Sequence, residues 1–315
     1  MKIIFFTNRY SWEVEGKIAP CRVHALKSIE KLIEVKYAGV GYTSSNVTQV
    51  VKDLGEADFI VIQCKRKQNI LNADLDYKED EKLFGEYKGK KILLLDEAFD
   101  REKCLGKIIR TGVDYVICNY YNDRMWYEGR KSLKSVKWQN IPHCASIDLY
   151  KDYGEPKIYD LLWLGAVSNH YPFRQRLLNI VNSLKEVVRV RVVEKRERMN
   201  GVCLEKYARL INSSKITVTC SSRYKYKLAK YVEIPLCGSL LAADLPLEDK
   251  DFISKFALVL DPNWRDEKIK EILIEMIKND KERNERIKIG MHLNLQYCSQ
   301  EIYAARFFNT LKGWM

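Results

Sequence analysis

A basic, aromatic run of residues leads into a short apolar segment in the second half of the chain. Arg223, Lys227 and Lys230 belong to the run, and Glu233 is the carboxylate of the apolar segment. Cations can neutralise the charge of a diphosphate, and a carboxylate can accept hydrogen bonds from ribose hydroxyls. The combination favours a binding site for a nucleoside-diphosphate sugar.

The segment around Glu233 is predicted to be a helix that stops at Cys237 and turns through Gly238 and Ser239 into an apolar strand. Glycine lets a ligand approach the backbone closely, so both turn residues are candidates for donor binding. A buried carboxylate needs a partner, because burying an unpaired charge is costly. That partner is either a ligand hydroxyl or a Lys or Arg of the chain, and the basic run alone is also consistent with a solvated surface.

A second candidate site lies in the loop between an apolar strand, Tyr159–Leu164, and a predicted helix, Phe173–Leu184. The loop contains Gly165, Ser168 and His170. Free N–H groups and the positive end of a helix dipole at such a loop can bind a phosphate. The loop has neither a G-x-G-x-x-G pattern nor a P-loop lysine, so an ordinary strand-to-helix turn is the alternative.

Three residues of the first half are candidate catalytic groups. Asp96 and Glu97 follow the apolar run Lys91–Leu95, and His24 lies near the start of a predicted helix, Val23–Leu32. Transfer to a hydroxyl group needs a carboxylate or an imidazole as general base. His24 is equally consistent with a plain helix residue. No two histidines have metal-ligand spacing, so no metal site is predicted.

Apolar runs alternate with amphipathic segments along the whole chain, which predicts parallel sheets covered by helices on both faces. The predicted strands of the first series are Lys2–Thr7, Glu34–Tyr37, Phe59–Gln63, Lys91–Leu95 and Tyr115–Cys118. Those of the second are Tyr159–Leu164, Val187–Val193, Lys215–Cys220, Ser239–Ala243 and Phe256–Leu260. The predicted fold class is α/β, with two doubly wound, Rossmann-like domains that face a cleft. We expect an N-terminal, acceptor-side domain over residues 1–155 and a C-terminal donor domain over 156–296.

The composition is that of a globular protein, with 46% hydrophobic and 30% charged residues in 315. No apolar stretch approaches a membrane span, and the first residues turn polar too soon for a signal peptide. The nine cysteines are scattered and form no C-x-x-C pair, which favours reduced core thiols. These features predict a soluble, cytoplasmic protein. The net charge of +12 suggests anionic partners, with nucleic acid and a peripheral membrane surface among the candidates.

Several segments together resemble glycosyltransferases of GT-B architecture, in the CgeB-like branch of glycosyl transferases group 1. The resemblance covers about residues 140–300. It is carried by Ile141-Pro142-His143, Tyr159–Gly165, Tyr171–Leu177, Leu210–Ile216 and, most specifically, Lys230–Leu241.

The resemblance implies that the C-terminal domain binds a UDP- or GDP-hexose without a bound metal or other cofactor. Glu233 would match the family's ribose-binding glutamate, and Gly238 and Ser239 the turn after it. The region of Arg223 and Lys227 would neutralise the diphosphate. The last helix, over 297–315, would cross back to the N-terminal domain.

One position departs from the family pattern. Many retaining members carry a second glutamate eight residues before the ribose-binding one, where this chain has Lys225. The departure leaves the stereochemical outcome open between retention and inversion.

The expected function is transfer of a hexose from a nucleoside-diphosphate sugar to a hydroxyl acceptor, with a glycan as the favoured acceptor. One alternative is a DNA-modifying enzyme that glucosylates a hydroxymethylated base. An alternative of another class is a non-catalytic protein that binds nucleotide sugars.

Overall fold

The computed structural model describes residues 1–6, 20–39, 42, 47–63, 84–95, 101–193 and 204–315. Their contacts divide the chain into two compact units. The first unit comprises Met1–Pro142 and Tyr303–Met315, and the second comprises His143–Ile302. The chain therefore passes between units after Pro142 and after Ile302, whereas the sequence places domain boundaries after residues 155 and 296.

Within the described residues, the first unit has six parallel strands in the order β2-β1-β3-β4-β5-β6. They are β1 (Lys2–Phe6), β2 (Glu34–Ala38), β3 (Phe59–Gln63), β4 (Lys91–Leu95), β5 (Tyr115–Cys118) and β6 (Lys137–Asn140). Apolar residues occupy both faces of the central strands because helices cover both sides of such a sheet. The register places Ile3 of β1 between Val35 of β2 and Phe59 of β3.

Two apolar cores flank this sheet. The helices that precede the second unit in the chain are α1 (Pro20–Glu30), α2 (Val47–Leu54), α3 (Arg101–Thr111) and α4 (Tyr121–Glu128), and a 3-10 turn follows at Lys131–Leu133. Residues of α2 and α3 pack on one core. The other core contains residues of α1 and, from the end of the chain, Ala304, Phe307 and Leu311.

In the part of the second unit that the structure describes, five parallel strands form the sheet, in the order β11-β10-β9-β7-β8. They are β7 (Tyr159–Leu164), β8 (Val190–Val193), β9 (Ser214–Val218), β10 (Leu240–Ala243) and β11 (Leu258–Val259). Its helices are α5 (Pro172–Ser183), α6 (Leu204–Asn212), α7 (Lys230–Leu236), α8 (Lys250–Ile253), α9 (Asp266–Lys278) and α10 (Asp280–Cys298), and α11 (Gln300–Trp314) follows.

The predicted α/β class with two parallel, Rossmann-like sheets is confirmed. One predicted long helical region, Glu267–Gln296, is two helices, because Asn279 interrupts it and caps α10. The Asn279 side chain accepts a hydrogen bond from the Glu282 N–H at 3.1 Å, which satisfies a free donor of the first turn.

Six cysteines whose side chains the structure describes are free thiols. Cys104 is half-buried, and the others are buried: Cys118, Cys144, Cys220, Cys237 and Cys298. None of the helices in the described ranges is long and apolar enough to cross a lipid bilayer.

Candidate functional site

The second sheet has a switch point between β7 and β9. β7 comes first in the chain, β8 lies on one side of it, and β9 lies on the other. Open α/β sheets bind ligands at the carboxyl ends of their strands at such points. The loops that leave β7 and β9 contain Gly165, Ser168, His170, Arg223 and Lys227, so the fold brings these predicted residues to one edge of the sheet.

Gly165 is the first residue after β7, and its backbone requires a glycine. Its φ is +147°, which side-chain-bearing residues rarely adopt. A Cβ at this position would lie 3.1 Å from Nη1 and 3.3 Å from Cζ of Arg174. Gly165 thus leaves room for a guanidinium at the end of the strand.

Arg174 is a buried cation that the sequence analysis did not select. It lies in the first turn of α5 and is 3% exposed. Its Nη1 donates to the Ala166 carbonyl at 3.1 Å, and its guanidinium lies 3.5 Å over the Tyr171 ring. Among the described residues, no carboxylate lies within ion-pair distance of Arg174, and its buried Nε has no hydrogen-bond partner. A buried charge without a counter-charge is unfavourable, so the site favours an anion.

Cys220 is the next neighbour of this guanidinium and lies two residues beyond the end of β9. Burial raises the pKa of the Cys220 thiol to about 12, whereas Arg174, which donates a hydrogen bond to it, opposes the rise. The charge of Asp244 raises this pKa further, and the charge of Lys230, the first residue of α7, lowers it least. Arg174 and Asp244 are therefore the charged groups that act most strongly on the Cys220 thiol.

A backbone hydrogen bond joins the two predicted loops. The Arg223 N–H donates to the His170 carbonyl at 2.8 Å. Ser168 is exposed, and its carbonyl accepts from the Tyr171 N–H at 2.9 Å, which closes the turn before α5. The exposed Arg223 side chain lies over the Tyr224 ring, with 4.7 Å between the guanidinium carbon and the ring centroid. Arg223 is thus held beside the loop after β7.

Asp244, the first residue after β10, fixes the shape of the loop after β9. It is 2% exposed and accepts hydrogen bonds from the Ser221 N–H at 2.7 Å and the Ser221 hydroxyl at 2.6 Å. Lys225 Nζ lies 2.8 Å from its Oδ2. The Tyr231 hydroxyl donates to its backbone carbonyl at 2.6 Å. The carboxylate thereby joins the loop to the start of α7.

The structure buries Lys227, which the sequence analysis assigned to the diphosphate. Lys227 is 4% exposed, and its ammonium pairs with Asp249. Its backbone N–H donates to Glu248 at 3.1 Å. These contacts give Lys227 a role in holding the loop before α8, so Arg174 and Lys225 are the additional cations to consider.

Glu233 lies in the first turn of α7, where it is 7% exposed between the buried Val232 and Ile234. Helical side chains lean towards the amino end of their helix. The amino end of α7 lies at the carboxyl edge of the sheet, because Tyr231 contacts Asp244 there. Glu233 lies three residues after Lys230 and so near this amino end, and its charge also raises the pKa of the Cys237 thiol one turn further along.

Gly238 and Ser239 lie at the other edge, where β10 begins. Gly238 has a φ of +66°, and its carbonyl accepts from Lys157 Nζ at 2.7 Å. Ser239 is 1% exposed, and its hydroxyl lies 2.8 Å from that of Thr217. Eight residues separate Lys230 from Gly238, which is about 12 Å along a helix axis. The fold does not bring this turn together with the cations of the other edge.

Of the predicted catalytic residues, only His24 belongs to the described part of the chain. It is half-buried in α1, in the first unit. Asp96 and Glu97, which follow β4, lie outside the described residues. The described ranges contain no group of three or more His, Cys, Asp or Glu residues arranged to hold a metal ion.

Comparison with known proteins shows the fold. No protein-family model and no curated protein matches the chain. Solved structures match it over almost its full length. Sucrose-phosphate synthase from Thermosynechococcus elongatus has a TM-score of 0.68 and 10% identity over 99% of this chain and 98% of that one.

Two further structures contain nucleotides. HepE from Anabaena, in complex with UDP and glucose, has a TM-score of 0.62 and 13% identity over 99% of this chain and 100% of that chain. An alpha-glucosyltransferase, in complex with UDP and a 13-mer DNA containing an HMU base, has a TM-score of 0.66 and 13% identity over 99% of both chains. The chain has the GT-B glycosyltransferase fold.

Proposed function

We propose that the chain is a glycosyltransferase that moves a hexose from a nucleoside-diphosphate sugar to a hydroxyl group of a glycan. The observation that carries this proposal is the buried guanidinium of Arg174 at the switch point of the second sheet, 3% exposed. It lies in the first turn of α5, where the helix dipole also favours an anion. A diphosphate supplies Arg174 with a direct ion-pair partner, which no carboxylate of the described residues provides.

In the proposed reaction, the bond between the sugar's anomeric carbon and the diphosphate oxygen breaks. A bond forms between that carbon and the acceptor oxygen, and the acceptor proton passes to a general base. Charge develops on the leaving diphosphate, so cations fixed in place before the reaction lower the barrier. Arg174, Arg223, Lys225 and Lys230 are the groups that we assign to this task.

We assign Glu233 to the ribose hydroxyls of the donor, since a carboxylate accepts hydrogen bonds from two neighbouring hydroxyls. His24, Asp96 and Glu97 remain predictions for the general base. Because the assigned cations themselves neutralise the diphosphate, we propose that transfer needs neither a metal nor another cofactor. Turnover should therefore persist in a metal chelator.

Arg174→Gln tests the donor site. By calorimetry, we expect UDP binding to weaken about ten- to a hundredfold, which corresponds to loss of one or two charge-assisted hydrogen bonds. Gln175→Ala is the matched control, because Gln175 is the exposed neighbour on the same helix and bonds only Asn179. Its UDP affinity should stay unchanged.

The thermal stability of Arg174→Gln distinguishes a role of Arg174 in UDP binding from a structural role. An uncompensated buried cation destabilises the empty protein, so Arg174→Gln should unfold at an equal or higher temperature than the parent without ligand. A lower unfolding temperature together with unaltered UDP affinity would mean that Arg174 serves the fold, and the donor assignment would fail.

A DNA acceptor is the second candidate, favoured by the net charge of +12 and by the likeness to an alpha-glucosyltransferase solved with DNA. Binding of a duplex should then weaken steeply with salt, because neutralised phosphates release counterions. Failure to retain duplex DNA at low salt would remove this candidate. Release of free sugar from nucleotide sugars would exclude a protein that only binds them.

A further inference from the structure

A pocket lined mainly by residues with polar side chains lies in the first unit, between the end of the edge strand β6 and one face of α11. Its volume is about 430 Å³, within the range of about 300 to 1,000 Å³ that is usual for small-molecule sites. It is lined by Gln139, Asn140, Pro142, Arg306, Asn309 and Thr310. The pocket belongs to the carboxyl edge of the first sheet, because Asn140 is the last residue of a parallel strand.

The helix that forms one wall is anchored on its opposite face. Ala304, Phe307 and Leu311 of α11 are buried in the core of the first unit. Arg306 and Asn309, three residues apart, are exposed, and Thr310 is half-buried. The polar face of α11 is thus held against the pocket by the packing of its apolar face, which limits the entropy that a ligand must remove.

The strand wall presents hydrogen-bond acceptors. The Asn140 amide donates to the Cys118 carbonyl at 2.9 Å, and the Gln139 amide donates to the Asn140 carbonyl at 3.1 Å. Both side chains are oriented by these bonds, which leave the Asn140 Oδ1 and Gln139 Oε1 atoms as acceptors and one N–H of each amide as a donor. The Thr310 hydroxyl donates to the Arg306 carbonyl at 2.8 Å and therefore also remains an acceptor.

The helix wall adds donors. Arg306 carries five N–H groups and Asn309 two more. Within the described residues, neither side chain forms an ion pair or a side-chain hydrogen bond. The lining thus combines fixed acceptors with donors, contains one cation and has no carboxylate.

This mixture selects among ligand classes. Phosphate and sulfate only accept hydrogen bonds, so they would leave the acceptors of the strand wall unpaired. A cationic ligand would be repelled by Arg306 and would find no carboxylate in the lining to pair with. A hydroxyl group both donates and accepts, and vicinal hydroxyls fit paired amide groups. A polyhydroxylated ring is the class that satisfies both walls.

We propose that the pocket between β6 and α11 binds a neutral saccharide unit, at a site separate from the proposed donor site. This binding needs no nucleotide and does not depend on the proposed function. If the proposed function holds, the pocket takes one sugar of the glycan that serves as acceptor.

The test uses the full chain without nucleotide. Saturation-transfer NMR with a panel of neutral mono- to tetrasaccharides (gluco-, galacto-, manno- and N-acetylglucosamine series) should identify a binder. Arg306→Ala and Asn309→Ala should each weaken its binding by about tenfold, the effect of losing roughly 1.4 kcal/mol. Lys312→Ala is the control, because Lys312 is exposed on the same helix outside the pocket lining and should leave binding unchanged.

Three outcomes would overturn the proposal. In the first, no saccharide of the panel binds at millimolar concentration. In the second, a saccharide binds, but Arg306→Ala and Asn309→Ala leave its affinity unchanged. In the third, equimolar inorganic phosphate displaces the saccharide. UDP calorimetry on the same variants reports the donor site independently. Loss of saccharide binding with intact UDP binding supports the pocket, whereas absence of UDP binding to the parent protein tells against the proposed function alone.

Discussion

Nζ of Lys225 lies 2.8 Å from Oδ2 of Asp244, and this ion pair joins the loop after β9 to the end of β10. The Lys225 side chain is 42% exposed, whereas that of Asp244 is 3% exposed. Lys225 has a φ of +57°, a left-handed conformation that is unusual for a residue with a side chain. The pair and the two bonds from Ser221 to Asp244 hold the loop that carries Arg223 in this shape.

Asp244→Asn should lower the free energy of unfolding by about 1–3 kcal/mol, because an amide leaves part of this buried hydrogen-bond network unsatisfied. Lys225→Met should cost less than about 1 kcal/mol, since the partly exposed ammonium gains little from its pair. Urea unfolding of both variants and of the double variant measures the coupling between them. Strictly additive effects would show that the pair does not hold the loop.

Gly165→Ala and Gly154→Ala form a matched pair of glycine variants. Both positions have positive φ, so each alanine should cost about 1–3 kcal/mol in unfolding free energy through backbone strain. A methyl group at 165 also meets the Arg174 guanidinium at 3.1 Å, whereas nothing lies within 4 Å of one at 154. UDP affinity should therefore fall in Gly165→Ala and stay constant in Gly154→Ala. Equal affinities in calorimetry would contradict the Arg174 assignment.

Glu233→Gln and Ser239→Ala compare the two edges of the second sheet. Glu233 lies in the first turn of α7, near the carboxyl edge, so its variant should weaken UDP binding by about tenfold through loss of a charge-assisted bond to ribose. Ser239 pairs with Thr217 near the amino edge, so its variant should change thermal stability while UDP affinity stays the same. Weaker UDP binding by Ser239→Ala would restore the turn after α7 as part of the donor site.

Asp160 predicts how the stability depends on pH. Burial would raise the pKa of its carboxyl group, but hydrogen bonds from Arg189 and Lys215 outweigh burial and hold the pKa well below its usual range. The unfolded pKa is about 3.9, so the charged group stabilises the fold above that pH. The stabilisation is lost as the pH falls through the lower folded value.

Asp160→Asn should therefore lower the stability at pH 7 and reduce its dependence on pH below about pH 4. Glu267→Gln is the control, because Glu267 is exposed in α9. This variant should show the same dependence of stability on pH as the parent protein. Unfolding by urea at a series of pH values distinguishes the two. If the unfolding free energies of Asp160→Asn and the parent fall in parallel as the pH is lowered, the ion pairs with Arg189 and Lys215 do not determine the loss of stability in acid.

The sequence predicted the central strands well because their apolar runs have one interpretation in a sheet covered on both faces. It missed β6 (Lys137–Asn140), in which Trp138 is the only large apolar residue. It also missed α4 (Tyr121–Glu128), which has eight residues and so only about two turns in which a helical period could show. Both elements depend on packing against partners distant in the chain, and the pattern within such short segments is too sparse to indicate them.

The site was predictable as a location and less so as a set of residues. A glycine after a strand and a basic run after another strand mark the carboxyl edge correctly. The sequence analysis did not select Arg174, because an arginine in the first turn of a helix is common. Its burial is a property of the tertiary fold. The available signals in the sequence were Gly165, whose backbone lies against the Arg174 guanidinium, and the apolar Phe173 next to Arg174 in the chain.

The last helix has a consequence for biosynthesis. Phe307 and Leu311, both 0% exposed, complete a core whose other members come from the first half of the chain. Nascent domains generally fold in the order in which they leave the ribosome. Here the amino-terminal half keeps an open hydrophobic face until residues 303–315 have been translated, while residues 143–302 are available sooner as a complete set. Of the two units, the one whose synthesis begins first is therefore completed second, and chaperones should meet it in that interval.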